Sequence, residues 1–177
     1  MPDRDGVVLH TRRLILRPSG GDDFARAFEI RSNWNVTRNL SHATFPPDAQ
    51  RMATWFAGHR DEWAAGTAYR FAVLHDGWMI GIIDIGDIAD GVGSLGYWFD
   101  EAAWGQGFAS EAGQCVIDFA FEQAGMRALI VGHATDNLAS AHVLAKLGFS
   151  KTDEVTIFSR SRQTDIRQVR LRLERPT

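Results

Sequence analysis

Trp104-Gly105-Gln106-Gly107-Phe108-Ala109-Ser110-Glu111 is a glycine-rich turn that runs directly into a helical pattern. Glycines at 105 and 107 let successive backbone N–H groups converge on one point, and the helix start adds its unpaired donors and positive dipole end. Such a turn suits an anion, above all the pyrophosphate of a nucleotide-bearing ligand. The helix is legible in its own spacing, with Phe108, Ala112, Cys115, Val116 and Phe119 on one face and Glu111, Gln114, Asp118 and Glu122 on the other. Residues 94–99 before the turn and 128–131 after the helix read as strands.

Toward the N-terminus the pattern gives a strand, two helices and a hairpin. Leu14-Ile15-Leu16 is a strand closed by Pro18 and Ser19-Gly20-Gly21, and Asp22-Asp23 opens a helix to about Arg31 with an acidic first turn. Residues 32–47 lack a clear period and are expected as a loop or broken helix near the substrate. Pro47-Asp48 starts a second helix through Met52, Trp55, Phe56 and His59, ending near Gly66. Residues 71–74 and 78–85, joined at His75-Asp76-Gly77, make a hairpin, and residues 86–93 are expected as a second turn region. After the long helix come the strand near Leu129, a helix over residues 141–147, and strands at 155–158 and 168–173. No internal repeat or linker interrupts the chain.

At 177 residues the chain has the length of one domain, and the expectation is a single domain over residues 1–177. A net charge of -3, evenly mixed, argues against a nucleic-acid or membrane partner and leaves a small molecule or a peptide end. Six arginines fall within residues 160–177; Arg170 and Arg172 alternate with Val169, Leu171 and Leu173, as on the wet face of an edge strand. The single cysteine, Cys115, lies on the apolar helix face and reads as core, and no histidine or carboxylate cluster has metal-ligand spacing. With no apolar leader or span in view, the expected compartment is the cytosol, for a monomer or a homodimer.

The order of these segments resembles the GCN5-related N-acetyltransferase (GNAT) superfamily, in the branch of ribosomal-protein N-terminal acetyltransferases of the RimJ and RimL type. The resemblance rests on Thr11-Arg12-Arg13-Leu14-Ile15-Leu16-Arg17-Pro18, Gly96-Tyr97-Trp98-Phe99-Asp100, the Trp104 turn, Asn137-Leu138-Ala139-Ser140 and Lys146-Leu147-Gly148-Phe149. It implies an α/β (α+β) fold: a mixed, mostly antiparallel central sheet of six or seven strands flanked by about four helices. It implies acetyl-coenzyme A as co-substrate, no metal, and direct transfer to a primary amine, either a peptide α-amine or a small-molecule amine, in a ternary complex. Backbone N–H groups from Gly105, Gln106, Gly107, Phe108, Ala109 and Ser110 would hold the pyrophosphate, with Trp104 standing where the superfamily usually has Gln or Arg. Pantetheine would lie where the strand ending at Phe99 splays from the one near Val131, with Asn137 on its amides. Tyr97 and Trp98 would offer N–H groups to the thioester carbonyl. A dinucleotide-binding unit fits poorly, because residues 100–104 separate strand from turn and antiparallel hairpins precede it.

Acyl transfer to an amine needs a neutral amine, a polarised carbonyl and a protonatable leaving group. At pH 7 a lysine amine is less than ~0.1% neutral, whereas an α-amine is about 10–20% neutral, so an N-terminal acceptor asks little of a base. Ser94 stands where the resemblance leads one to seek an acidic residue. Asp84, interrupting an apolar strand, and His133, whose facing is open, are the candidate bases. Leu144 occupies the position of the tyrosine that protonates the thiolate in many relatives, leaving Ser140 as the candidate donor or as part of a helix cap. Tyr97 is expected to line the acetyl or acceptor site, and Trp34 is the aromatic best placed to wall it. Without that tyrosine, a non-catalytic acyl-coenzyme A-binding module is the rival reading.

Overall fold

The computed structural model describes residues 2–176. Eight strands form one sheet: β1 (Leu9–His10), β2 (Leu14–Pro18), β3 (Tyr69–His75), β4 (Trp78–Ala89), β5 (Val92–Phe99), β6 (Ala128–Ala134), β7 (Ser150–Ser159) and β8 (Thr164–Glu174). Five α-helices accompany them: α1 (Phe24–Arg31), α2 (Trp34–Thr37), α3 (Ala49–Ala65), α4 (Phe108–Asp118) and α5 (Leu138–Lys146). The fold class expected from the sequence is therefore observed, with one strand and one helix beyond the expected numbers. The extra strand is the two-residue β1, and the extra helix is the single turn at Trp34 inside the unpatterned segment.

The sheet order is β1-β2-β3-β4-β5-β6-β8-β7, and the pairings are antiparallel except for β5 with β6. Two expectations are corrected by this order. β8 lies between β6 and β7 and is not an edge; β7 is, and its outward residues are almost all exposed. Alternation of Arg170 and Arg172 with apolar neighbours reports one wet face, which an interior strand can also have. Residues 86–93 are mostly strand, because β4 continues to Ala89 through a bulge and the turn shrinks to Asp90-Gly91. Both turn residues have positive φ, 49° and 70°, the geometry of a tight two-residue hairpin.

The helices divide between the two faces of the sheet, and the split follows strand parity. Ala27, Ile30, Val36, Met52 and Phe56 from α1, α2 and α3 pack on Ala72, Ile82 and Trp98. On the opposite face Phe108, Ala112 and Val116 of α4 and Leu144 of α5 pack on Ile83, Leu95, Phe99, Leu129 and Val131. Helix α3 has clear end signals in the sequence: the Asp48 side chain accepts from the Arg51 N–H at 2.9 Å, and Gly66 closes the helix at φ 68°.

Candidate active site

Parallel pairing of β5 with β6 covers only Val92↔Ala128, Gly93↔Leu129 and Ser94↔Ile130. Beyond Ser94 the two strands part, while β5 keeps its pairing to β4 as far as Phe99. Backbone groups on the β6 side of residues 95–99 therefore face a gap. The Asp100 N–H donates to the Ile80 carbonyl at 2.8 Å. Alternation from that bond turns the Trp98 N–H into β4 and those of Tyr97 and Phe99 toward the gap. Of the two N–H groups expected to polarise a carbonyl, Tyr97 keeps that possibility and Trp98 is committed to the sheet.

The anion turn lies just beyond. Trp104 ties it to β5, its indole Nε1 donating to the Phe99 carbonyl at 3.0 Å and its backbone N–H to Glu101. Gly105 and Gly107 have φ of 73° and 81°, values that a side chain would strain. The first α4 N–H with a backbone partner is that of Glu111, on the Gly107 carbonyl at 3.0 Å. Among the described residues, none accepts a hydrogen bond from the N–H groups of residues 105–110. These donors fit a pyrophosphate.

Sequence reasoning missed the clamp that fixes this turn. Glu111 accepts from Thr11 Oγ1 at 2.6 Å, from the Arg13 N–H at 2.9 Å and from Arg13 Nε at 2.7 Å. Burial works against ionisation of Glu111, but these bonds prevail and its carboxyl is lowered. The Arg13 guanidinium stacks 4.5 Å from the Phe108 ring centroid, and its Nη2 lies 3.5 Å from where a Cβ on Gly107 would stand. A cation thus borders the turn, joined by residues about 98 positions apart. The Thr11-Arg12-Arg13 motif was visible in the sequence, but its partner was not.

Tyr97 and Ser140, candidates from separate segments, meet: their hydroxyls are 2.7 Å apart. Asn137 caps α5, its Oδ1 accepting from the Ser140 N–H at 3.1 Å. The cap thus uses the backbone of Ser140 and leaves its hydroxyl to Tyr97, which separates the two roles expected of this serine. Burial raises the Tyr97 pKa, more than the Ser140 bond lowers it, so the phenol stays protonated.

The two candidate bases lie on opposite faces. Asp84 pairs with Gly96 on the α1–α3 face, away from Tyr97. Its Oδ2 is 3.1 Å from Arg70 Nη1, and Arg70 is also held by Glu62 at 2.6 and 2.9 Å. A Cβ on residue 96 would come within 3.0 Å of Asp84 Oδ1, so glycine there makes room for the carboxylate. Burial pushes Asp84 up to about 6 against the opposing pull of Arg70. His133 shares the α4–α5 face with Leu129 and Val131; its Nδ1 lies 2.8 Å from the Ala134 carbonyl. Trp34 is half-exposed against Phe45, their centroids 5.0 Å apart, while Trp63 is core. Cys115 packs against the core, and burial pushes its thiol up to about 11, far from a nucleophile.

A split sheet, a glycine-rich helix start at its mouth and a hydroxyl pair beside the gap are the features of an acyltransferase. The chain belongs to the GNAT family, since the model described as acetyltransferase (GNAT) domain matches residues 13–150. The N-acetyltransferase YoaA of Bacillus subtilis (strain 168), described as uncharacterized, is 31% identical over 148 residues, 81% of this chain and 83% of that protein. Among solved structures, the Salmonella typhimurium acetyl transferase that modifies the N-terminal serine of ribosomal protein L7/L12 superposes with a TM-score of 0.83 at 16% identity. That match covers 96% of this chain and 100% of the other. Mycobacterium smegmatis RimJ, in complex with a coenzyme A disulfide, gives 0.79 at 20% identity over 91% and 81% of the two chains. A RimL protein in complex with coenzyme A gives 0.81 at 17% identity, so RimJ and RimL proteins are structural neighbours, as the sequence motifs implied. Among the described residues, no helix is long and apolar enough to cross a membrane.

Proposed function

We propose that this protein transfers an acetyl group from acetyl-coenzyme A to the α-amino group of a peptide. The observation that carries this reading is the parting of β5 and β6 after Ser94↔Ile130, with the Tyr97–Ser140 pair beside the gap. The free N–H groups of residues 105–110 and the neighbouring Arg13 suit the pyrophosphate, and the Tyr97 N–H and Asn137 suit the amide-bearing arm. The co-substrate supplies a thioester whose leaving thiol has a pKa near ~8.5. Ser140 Oγ donates its proton to that sulfur as the C–S bond breaks and takes one from Tyr97, and the proton shed by the nitrogen as the amide forms returns through solvent to the phenol, so that the thiol gains in net the proton the amine loses. Asp84, wedged between Arg70 and Gly96, positions the sheet and Arg70 and is not the base. An α-amine arrives sufficiently neutral without one.

The test measures thiol release from acetyl-coenzyme A with two synthetic peptides. One has a free N-terminus and no lysine; the other is N-acetylated and carries one lysine. The free α-amine should be preferred by at least about tenfold in kcat/KM, given a difference in neutral fraction of more than about 100-fold. A preference for the lysine peptide would overturn the acceptor assignment. Tight coenzyme A binding with no turnover of any amine would leave the binding module.

A further inference from the structure

Among the described residues, Arg31 is a partly buried cation on the α1–α3 face with no ion-pair partner. Arg31 ends α1, and its guanidinium lies 5.7 Å from the Trp98 ring centroid, one residue along β5 from Tyr97. Its Nε makes only a long contact, 3.4 Å to Thr37 Oγ1. Neighbouring arginines are engaged: Arg26 with Glu29 and Asp100, Arg38 and Arg162 with Asp136, Arg70 with Glu62 and Asp84. Among the described residues, no carboxylate lies within ion-pair reach of Arg31, and burial alone pushes it down to about 10. The Trp98 ring offsets part of that desolvation. A planar fork in this position is matched best by a carboxylate, which it grips through two parallel N–H bonds.

We infer that Arg31 is the anion receptor of the acceptor site, and that the amine acetylated here carries a carboxylate close by. This rests on the acetyltransferase reading above. The carboxylate has two sources: an acidic side chain next to a peptide's first residue, or the α-carboxylate of a free amino acid.

Two matched pairs of acceptors distinguish them: the tripeptide amides Ser-Asp-Ala and Ser-Asn-Ala, and serine against serinamide. Thiol release gives kcat/KM, and calorimetry on protein saturated with coenzyme A gives Kd without requiring turnover. In one pair the carboxylate member should be favoured about tenfold or more in both measures, which names the source. Arg31→Gln should bring that pair within about twofold, while Arg31→Lys keeps part of the preference. A merely structural arginine would weaken both members equally and leave the ratio unmoved. Equal Kd for both members of both pairs, absence of binding included, or a preference that survives Arg31→Gln, overturns the inference. If calorimetry shows the Arg31-dependent preference but no amine is turned over, acetyl transfer fails and the receptor stands.

Discussion

The two sides of β5 are built differently. The Tyr97 side presents mainly backbone N–H groups, glycine conformations and a helix start within residues 94–111, joined by the Tyr97–Ser140 hydroxyl pair and the clamp of Thr11 and Arg13 on Glu111. The Trp98 side presents long side chains, Arg31 from α1 and the Arg70–Asp84 pair from the neighbouring strands β3 and β4, each poised by what surrounds it. A backbone site tolerates drift in sequence as long as its glycines and helix cap persist. A side-chain site changes its ligand with one substitution. In the proposed reading the donor side is therefore rigid in its specificity, and the acceptor side is where specificity can move.

The largest effect should come from breaking the backbone side at Gly107. With φ of 81°, any L side chain there is strained, and a β-branched one most of all. A Cβ would also crowd Arg13 Nη2 at 3.5 Å. Gly107→Val should raise the Kd for coenzyme A by about 100-fold, the worth of two charge-assisted bonds lost, as calorimetry would show. Circular dichroism should remain that of the wild type. A change under about threefold would take the turn out of the site.

How far each side could be read from the sequence follows the same division. Gly105, Gly107, the Asp48 cap and the Gly66 stop were legible because their partners lie within a few residues. The Tyr97–Ser140 bond spans 43 positions and the Arg13–Glu111 clamp 98. Each residue was a candidate or part of a motif, but nothing in the sequence paired them. Asp84 was singled out as a polar break in an apolar strand, yet its ion pair depends on the β3–β4 register, which sets Arg70 opposite it. Arg31 entered the sequence reading only as the approximate end of a helix; that it faces Trp98 without a carboxylate emerges only when α1 is laid on the sheet. The misplacement of β8 has the same origin, since alternation defines a strand's faces and says nothing of its neighbours.

An intermediate effect is expected at the hydroxyl pair on the Tyr97 side. Ser140→Ala should lower kcat about 10–100-fold and leave the Kd for coenzyme A within about threefold, because the α5 cap uses the serine backbone. Tyr97→Phe should act similarly, and the double variant should be little worse than either single one if the hydroxyls work in series. Losses that multiply in the double variant would show two independent roles and break the relay.

The smallest effect on rate, and the sharpest statement about the side-chain face, belongs to Asp84→Asn. Burial raises the carboxyl to about 6, whereas in the unfolded chain it titrates near the ordinary aspartate value of 3.8. The folded state therefore binds the extra proton between those values, so the stabilisation present below them fades as pH rises through about 6. Asparagine lacks that titration. Its stability relative to wild type should improve between pH 4 and pH 7, by about 1–3 kcal/mol in denaturant unfolding, with Arg70 still paired to Glu62. kcat should change less than about threefold, and the acidic limb of the pH–rate profile should stay where it is. If that limb disappears in the variant, Asp84 takes the proton from the amine itself, and the side-chain face carries chemistry as well as recognition.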